Sequence, residues 1–130
     1  MIKLENVILA IKDLGGKASL CDIYKAVASK CQELPNSWKD VIRAYIYHNS
    51  TDAQGYENGN PNIFFKSGRG VWGLRHPQEI MKGRSEEAIA AVAYTMITEE
   101  EIKKCDRDEY KVRELIEKKI SEVKRKYDML

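Results

Sequence analysis

The sequence predicts a mainly α protein of the α+β class, on three observations. Three early segments, near residues 4–14, 19–31 and 37–48, carry apolar residues at helical spacing. Two short runs of strand formers follow, Ile63-Phe64-Phe65 and Val71-Trp72-Gly73-Leu74-Arg75, on either side of Lys66-Ser67-Gly68-Arg69-Gly70. Beyond His76-Pro77 the composition turns to Ala, Glu and Lys with a helical period. Three helices and then a β-hairpin with a basic, glycine-rich tip is the order of a winged helix-turn-helix, here with a C-terminal helical extension. The expected division is a winged-helix unit over residues 1–77 and a helical unit over 78–130.

Leu4, Val7, Ile8, Ile11 and Leu14 make one apolar stripe, and Gly15-Gly16 stops that helix. Ser19 opens the second helix, with Asp22 standing where a capping box usually has Glu. Gly-Gly-x-x-Ser therefore reads as a short helix-to-helix connection. Leu20, Ile23, Tyr24, Val27 and Cys31 form the apolar side of the second helix. Pro35-Asn36-Ser37 opens the third, and Ser37 with Asp40 repeats the capping signal. Trp38, Val41, Ile42, Tyr45 and Ile46 make its core stripe; Lys39, Arg43 and Tyr47 line another face, with Ala44 and His48 nearby. Residues 49–61 are dense in turn formers and read as loop. His76 closes the unit, because a residue before proline avoids the helical region.

Ser85-Glu86-Glu87 starts a short alanine-rich helix to about Ile97, and Thr98 with Glu101 is a capping box for another over 98–127. Its stripe, Ile102, Cys105, Val112, Ile116, Ile120, Val123 and Tyr127, is near heptad spacing and is interrupted at Glu109. A helix of that length spans about 45 Å at 1.5 Å per residue. That exceeds the width of the winged unit, so Thr98 to Tyr127 is expected to pair with a second copy as a homodimer. Folding back to complete the core of the same chain is the other reading.

The 130 residues are 43% hydrophobic and 32% charged, which describes a globular chain rather than a disordered one. The formal net charge is +2. Residues 1–84 hold twelve Lys/Arg against eight Asp/Glu, while 85–130 hold ten against twelve. The basic excess sits on the winged unit, as a phosphate-facing surface requires. Cys21, Cys31 and Cys105 have no metal-ligand spacing and read as reduced thiols. The N-terminus lacks the apolar region of a signal peptide, and no apolar run approaches a membrane span. A cytoplasmic protein without cofactor is expected.

The candidate DNA-binding set is Asn36, Ser37, Lys39, Arg43, Tyr47, His48, Lys66, Arg69 and Arg75. Arg43 on a recognition helix would donate two hydrogen bonds to a guanine edge, or else pair with Asp40 on the surface. Lys39 suits phosphate, as a flexible point charge. Asn36 and Ser37 would bring a phosphate to the helix N-terminus, or simply cap it. Arg69, between two glycines, would enter a minor groove or clamp a phosphate, with Lys66 on the same wing. Tyr47 is the first aromatic to nominate for base contact. Tyr24 and Tyr45 read as structural, Phe65 and Trp72 as core.

The run Val41-Ile42-Arg43, then His48-Asn49-Ser50-Thr51-Asp52, Tyr56, Asn62-Ile63-Phe64-Phe65 and Gly68-Arg69-Gly70-Val71-Trp72-Gly73-Leu74-Arg75, resembles a family of winged-helix domains that accompany restriction endonucleases of the HNH and related nuclease types. The resemblance covers roughly residues 1–75. It implies binding of double-stranded DNA, and related domains of modification-dependent enzymes extend that to modified bases. Where such enzymes carry a catalytic domain, this chain has helix. Glu109-Tyr-Lys111 and Glu122-Val-Lys124, near Asp106 and Asp108, have the Glu-x-Lys form of some nuclease sites. They lie in charged helix, where the pattern arises from composition. His48-Asn49 echoes a His-Asn nuclease motif without metal-ligating partners. No Gly-x-x-x-x-Gly-Lys occurs. The expected function is non-enzymatic duplex DNA binding, within a restriction-modification or defence system that has a separate nuclease subunit, or in transcription regulation. The alternative is a winged-helix module for protein partners.

Overall fold

The first helix, α1 (Leu4–Asp13), buries Val7, Ile8, Ala10 and Ile11, the stripe its apolar spacing lays down. The computed structural model describes residues 2–31, 33–83, 85–106 and 108–127. Gly15 and Gly16 both have φ of 94°. Gly15 N–H donates to Lys12 O at 3.0 Å and Gly16 N–H to Ile11 O at 2.9 Å. Those bonds satisfy the last carbonyls of a helix closed by a left-handed residue. The connection that follows is a strand, β1 (Lys17–Ser19), where the spacing predicts only a link. Three residues are too few to display an alternation.

Ser19 then caps α2 (Leu20–Lys30), accepting from Asp22 N–H at 3.1 Å, and Ile23 and Val27 go inside. The helix α3 (Trp38–His48) buries Ile42 and Ile46. Its expected cap is corrected. Ser37, at φ −94° and ψ 22°, makes no side-chain cap bond, and Asp40 is bound by Arg43 instead. The Pro35 carbonyl accepts Trp38 N–H at 3.1 Å, so a turn leads into the helix.

The polar crossing is held by its own side chains. Buried Asn49 donates from Nδ2 to Tyr45 O at 2.8 Å, while its carbonyl accepts Ile63 N–H at 2.8 Å. Asn62 Oδ1 accepts Thr51 N–H at 3.0 Å, and Asn60 Nδ2 donates to His48 O at 3.0 Å. Two strands follow, β2 (Phe64–Gly68) and β3 (Val71–Leu74). β3 is central, with antiparallel β1 and β2 on its two sides. The hairpin turn is shorter than the expected 66–70. Lys66 lies on β2 opposite Trp72, a bulge falls between Lys66 and Gly68, and Arg69 and Gly70 make the turn. Gly70 takes φ of 69° there.

His76 is extended, as its place before proline requires, but a short helix, α4 (Pro77–Met81), begins at once. The His76 Nδ1 accepts Gln78 N–H at 3.2 Å. Next comes α5 (Glu86–Thr95), capped by Ser85, with Ala88, Ile89, Ala91, Val92 and Ala93 buried.

The single helix expected over 98–127 is two. α6 (Glu99–Lys104) ends at Cys105, Asp106 takes φ of 45°, and Asp108 caps α7 (Glu109–Lys126) through bonds from Tyr110 and Lys111 N–H. Asp108 is itself the capping signal, although in the sequence it stands among charged residues that also suit a helix surface. The length that favoured pairing with a second copy is therefore absent. α7 packs on α5 of its own chain, and Val123 is fully buried. The described residues form seven helices and a three-stranded antiparallel sheet. One hydrophobic cluster runs from α1, α2 and α3 through Phe64 and Trp72 to α5 and Val123. No helix among the described residues is long and apolar enough to cross a membrane.

Candidate nucleic-acid interface

With Ile42 and Ile46 fixed in the core, the period of α3 turns Lys39 fully outward and leaves Arg43 and Tyr47 at the boundary. The C-terminal end of α3 meets the hairpin, where the Tyr47 and Trp72 rings pack at 5.5 Å between centroids, tilted by 47°. The hairpin turn is tied to α2 by Leu20 N–H donating to Gly70 O at 2.8 Å. The C-terminal end of α3 is thereby next to the hairpin, and Lys39, Lys66 and Arg69 are all exposed. These three make no ion pair among the described residues.

The remaining candidates are placed differently. Arg43 is bonded to Asp40, the pairing weighed against base contact. His48 is exposed, with Nδ1 3.8 Å from Glu57 Oε1. Asn36 and Ser37 are exposed beside the start of α3. Arg75 faces inward. Its Nε donates to Phe64 O at 2.8 Å, and its Nη2 lies 3.1 Å from Asp52 Oδ2 and 3.3 Å from Thr51 Oγ1. Its guanidinium joins β3 to the loop and is not presented outward. Asp52 also accepts Lys66 N–H at 2.9 Å, so this carboxylate pins the hairpin to the crossing.

Two contributors were missed in the sequence. Tyr24, read as a structural residue of α2, packs edge-on to Trp38 at 5.9 Å and 79°. Lys39 Nζ lies 5.7 Å from the Tyr24 centroid and 5.4 Å from that of Trp38. The rings thus hold the Lys39 ammonium by cation–π attraction. Burial raises the Tyr24 hydroxyl above the ordinary tyrosine range, while the adjacent Arg43 charge pulls the other way. The second is Gly73. A Cβ there would lie 2.5 Å from Phe65 Cε1 and 2.9 Å from Gly16 O. Phe65 lies over Gly73, its cross-strand partner, half-buried, and Trp72 is in the core. Only the contact across strands makes that glycine necessary.

A cavity of about 490 Å³ opens between α3, the loop after it and the hairpin, lined by Tyr47, Asp52, Gln54, Lys66 and Trp72. The carboxylates weighed as nuclease ligands do not converge. Asp108 caps α7, and Glu122 lies 3.7 Å from Lys119. Among the described residues no group of His, Cys, Asp and Glu has the arrangement of a metal site. Compared with family models, curated proteins and solved structures, the chain matches none.

Proposed function

We propose that this chain is a winged helix-turn-helix that binds duplex DNA, with α3 as recognition helix and the β2–β3 hairpin as wing. The observation that carries the reading is the pairing of two outward basic elements. α3, which bears Lys39 and Arg43, meets at its C-terminal end a hairpin bearing Lys66 and Arg69, and three of those four cations have no acidic partner among the described residues. The element order α1-β1-α2-α3-β2-β3, with β3 central, supports it as well. A helix of this width fits the major groove, and a hairpin beside it reaches the adjacent backbone. Lys39 and Lys66 would bind phosphate, Arg43 a base edge or phosphate, and Arg69 the minor groove or its rim. The chain acts as a binding module within a defence system or as a small regulator.

Fluorescence anisotropy with mixed-sequence duplex, plain and methylated, at two salt concentrations tests this. Affinity should fall steeply with salt, because each phosphate contact releases counterions. The double variant Arg43→Ala/Arg69→Ala should lose binding while its melting temperature stays near the parent's. Absence of binding at low salt would reject the reading in favour of a module for protein partners.

A further inference from the structure

The cavity between α3 and the hairpin has the half-buried Tyr47 ring as its aromatic wall, backed by the buried Trp72, and is edged by Asp52, Gln54 and Lys66. At about 490 Å³ and open to solvent on one side, it has room for one small planar ligand. Its polar groups are unevenly committed. Asp52 Oδ2 already accepts Lys66 N–H and faces Arg75, whereas Oδ1 has no hydrogen-bond partner among the described residues. Asp52 keeps 40% of its side-chain exposure, so that oxygen remains open to a donor. The exposed Gln54 amide offers both a donor and an acceptor beside it. The Lys66 ammonium is free for a phosphate at the mouth, since only its backbone N–H is used.

We propose that this cavity receives a single unstacked nucleobase carrying an exocyclic amino group. The base would lie against Tyr47, with its amino group donating to Asp52 Oδ1 and its own phosphate on Lys66. An aromatic face takes any base, so the carboxylate sets the preference. Cytosine, adenine and guanine each carry an amino donor. Thymine offers its one Watson–Crick N–H between two carbonyl oxygens, which a carboxylate repels. The proposal rests on the duplex-binding reading above, because the cavity lies between the two elements assigned to DNA. The base would come either from a duplex, by swinging out of the stack, or from a single strand.

The test uses the full chain and one duplex sequence in three forms: fully paired, with a cytosine opposite an abasic site, and with a thymine opposite an abasic site. An orphan base costs little to extrude, which exposes the cavity's own preference. The orphan-cytosine duplex should bind about tenfold more tightly than the paired form, and the orphan-thymine duplex should gain much less. Gln54→Ala, at an exposed position, should reduce the cytosine gain without weakening binding of the paired duplex, and Tyr47→Leu should lower the ratio of orphan-cytosine to paired-duplex affinity. Oligo-dC bound in preference to oligo-dT, without an orphan gain, would assign the base to a single strand. Salt-sensitive binding of all three duplexes with equal affinity, and of both oligonucleotides alike, would overturn the cavity proposal and leave duplex binding intact. Failure to bind any DNA would overturn both.

Discussion

At the scale of single residues, cations that look alike in the sequence divide by what surrounds them. Arg69 stands at a two-residue turn and is exposed. Arg75 lies six positions on and is clasped by Asp52, Phe64 O and Thr51. Arg69→Ala should leave thermal stability within about 0.5 kcal/mol of the parent, as surface changes do, and reduce the salt slope of DNA binding by about one. Arg75→Ala should instead cost about 1–3 kcal/mol of stability, because it strands Asp52 and a strand carbonyl. Denaturant melts and binding isotherms on the two variants separate these outcomes, and equal melts would show that the clasp contributes nothing. Gly73→Ala belongs at this scale too. The added methyl would press on Phe65 and on the Gly16 carbonyl, which is backbone held by Leu74 N–H at 3.0 Å and cannot swing aside. A loss of roughly 1–3 kcal/mol is expected from overpacking. An unchanged melting temperature would show that the Phe65 ring moves freely.

At the scale of elements, what the sequence made legible follows periodicity and punctuation. The three early helices, the hairpin and the Thr98–Glu101 capping box were readable, because each repeats over several residues or has a fixed offset. β1 is hidden by its brevity, and α4 by a proline that ends one segment and opens the next. The break before α7 was hidden because Asp108 sits among acidic residues that also suit a helix surface. The exposure of Lys39 is legible from its place opposite the core stripe of α3. The inward turn of Arg75, the Tyr24 support of Lys39 and the cavity depend on contacts between distant segments, which spacing does not carry. The α6–α7 corner yields a prediction of its own. Glu101 binds Lys119 Nζ at 3.0 Å through Oε2 and accepts Thr98 N–H at 3.1 Å through Oε1. Lys119 first, and then Thr98, hold the Glu101 carboxyl down at about 2, against an ordinary 4.5. A depressed carboxyl stabilises the fold above its unfolded value and loses that contribution as pH falls toward its folded value. The window is therefore pH 4.5 down to about 2. Glu101 keeps 28% of its side-chain exposure, so solvent screening discounts the effect. Glu101→Gln should cost about 1–2 kcal/mol at pH 7 and flatten the stability profile across that window. Chemical denaturation at pH 7, 4.5 and 3 would detect it, and parallel profiles for parent and variant would rule the linkage out.

At the scale of the whole molecule, the helices after Pro77 share the core of the segment before it. Ile89, Ala91 and Val92 of α5 belong to the same buried cluster as Val7, Ile8 and Ile11 of α1, and Val123 of α7 closes it. Composition suggests a boundary near residue 77, since charge and alanine content change there. Burial runs across that boundary. A chain ending at residue 77 would expose the faces of α1 that α5 covers. Burial of a single Ile or Val contributes about 1.5–3 kcal/mol, and the total stability of a small domain is about 5–15 kcal/mol. Losing the partners of several such residues removes most of that margin. Fragment 1–77 should therefore lack a cooperative thermal transition by circular dichroism and show little amide protection in α1, while the full chain melts in one step. A fragment that melts cooperatively near the parent temperature would mean that α5 and α7 only shelter a self-sufficient unit. The proposed DNA binding should then follow the fold in a testable way. If α5 and α7 are needed to hold α1, they also support the placement of α3 against the hairpin. Substitutions in the α5–α1 contact, which involves none of Lys39, Arg43, Lys66 and Arg69, should then weaken binding in proportion to the fraction unfolded. A stabilised background should restore that binding, which loss of a direct DNA contact would not allow.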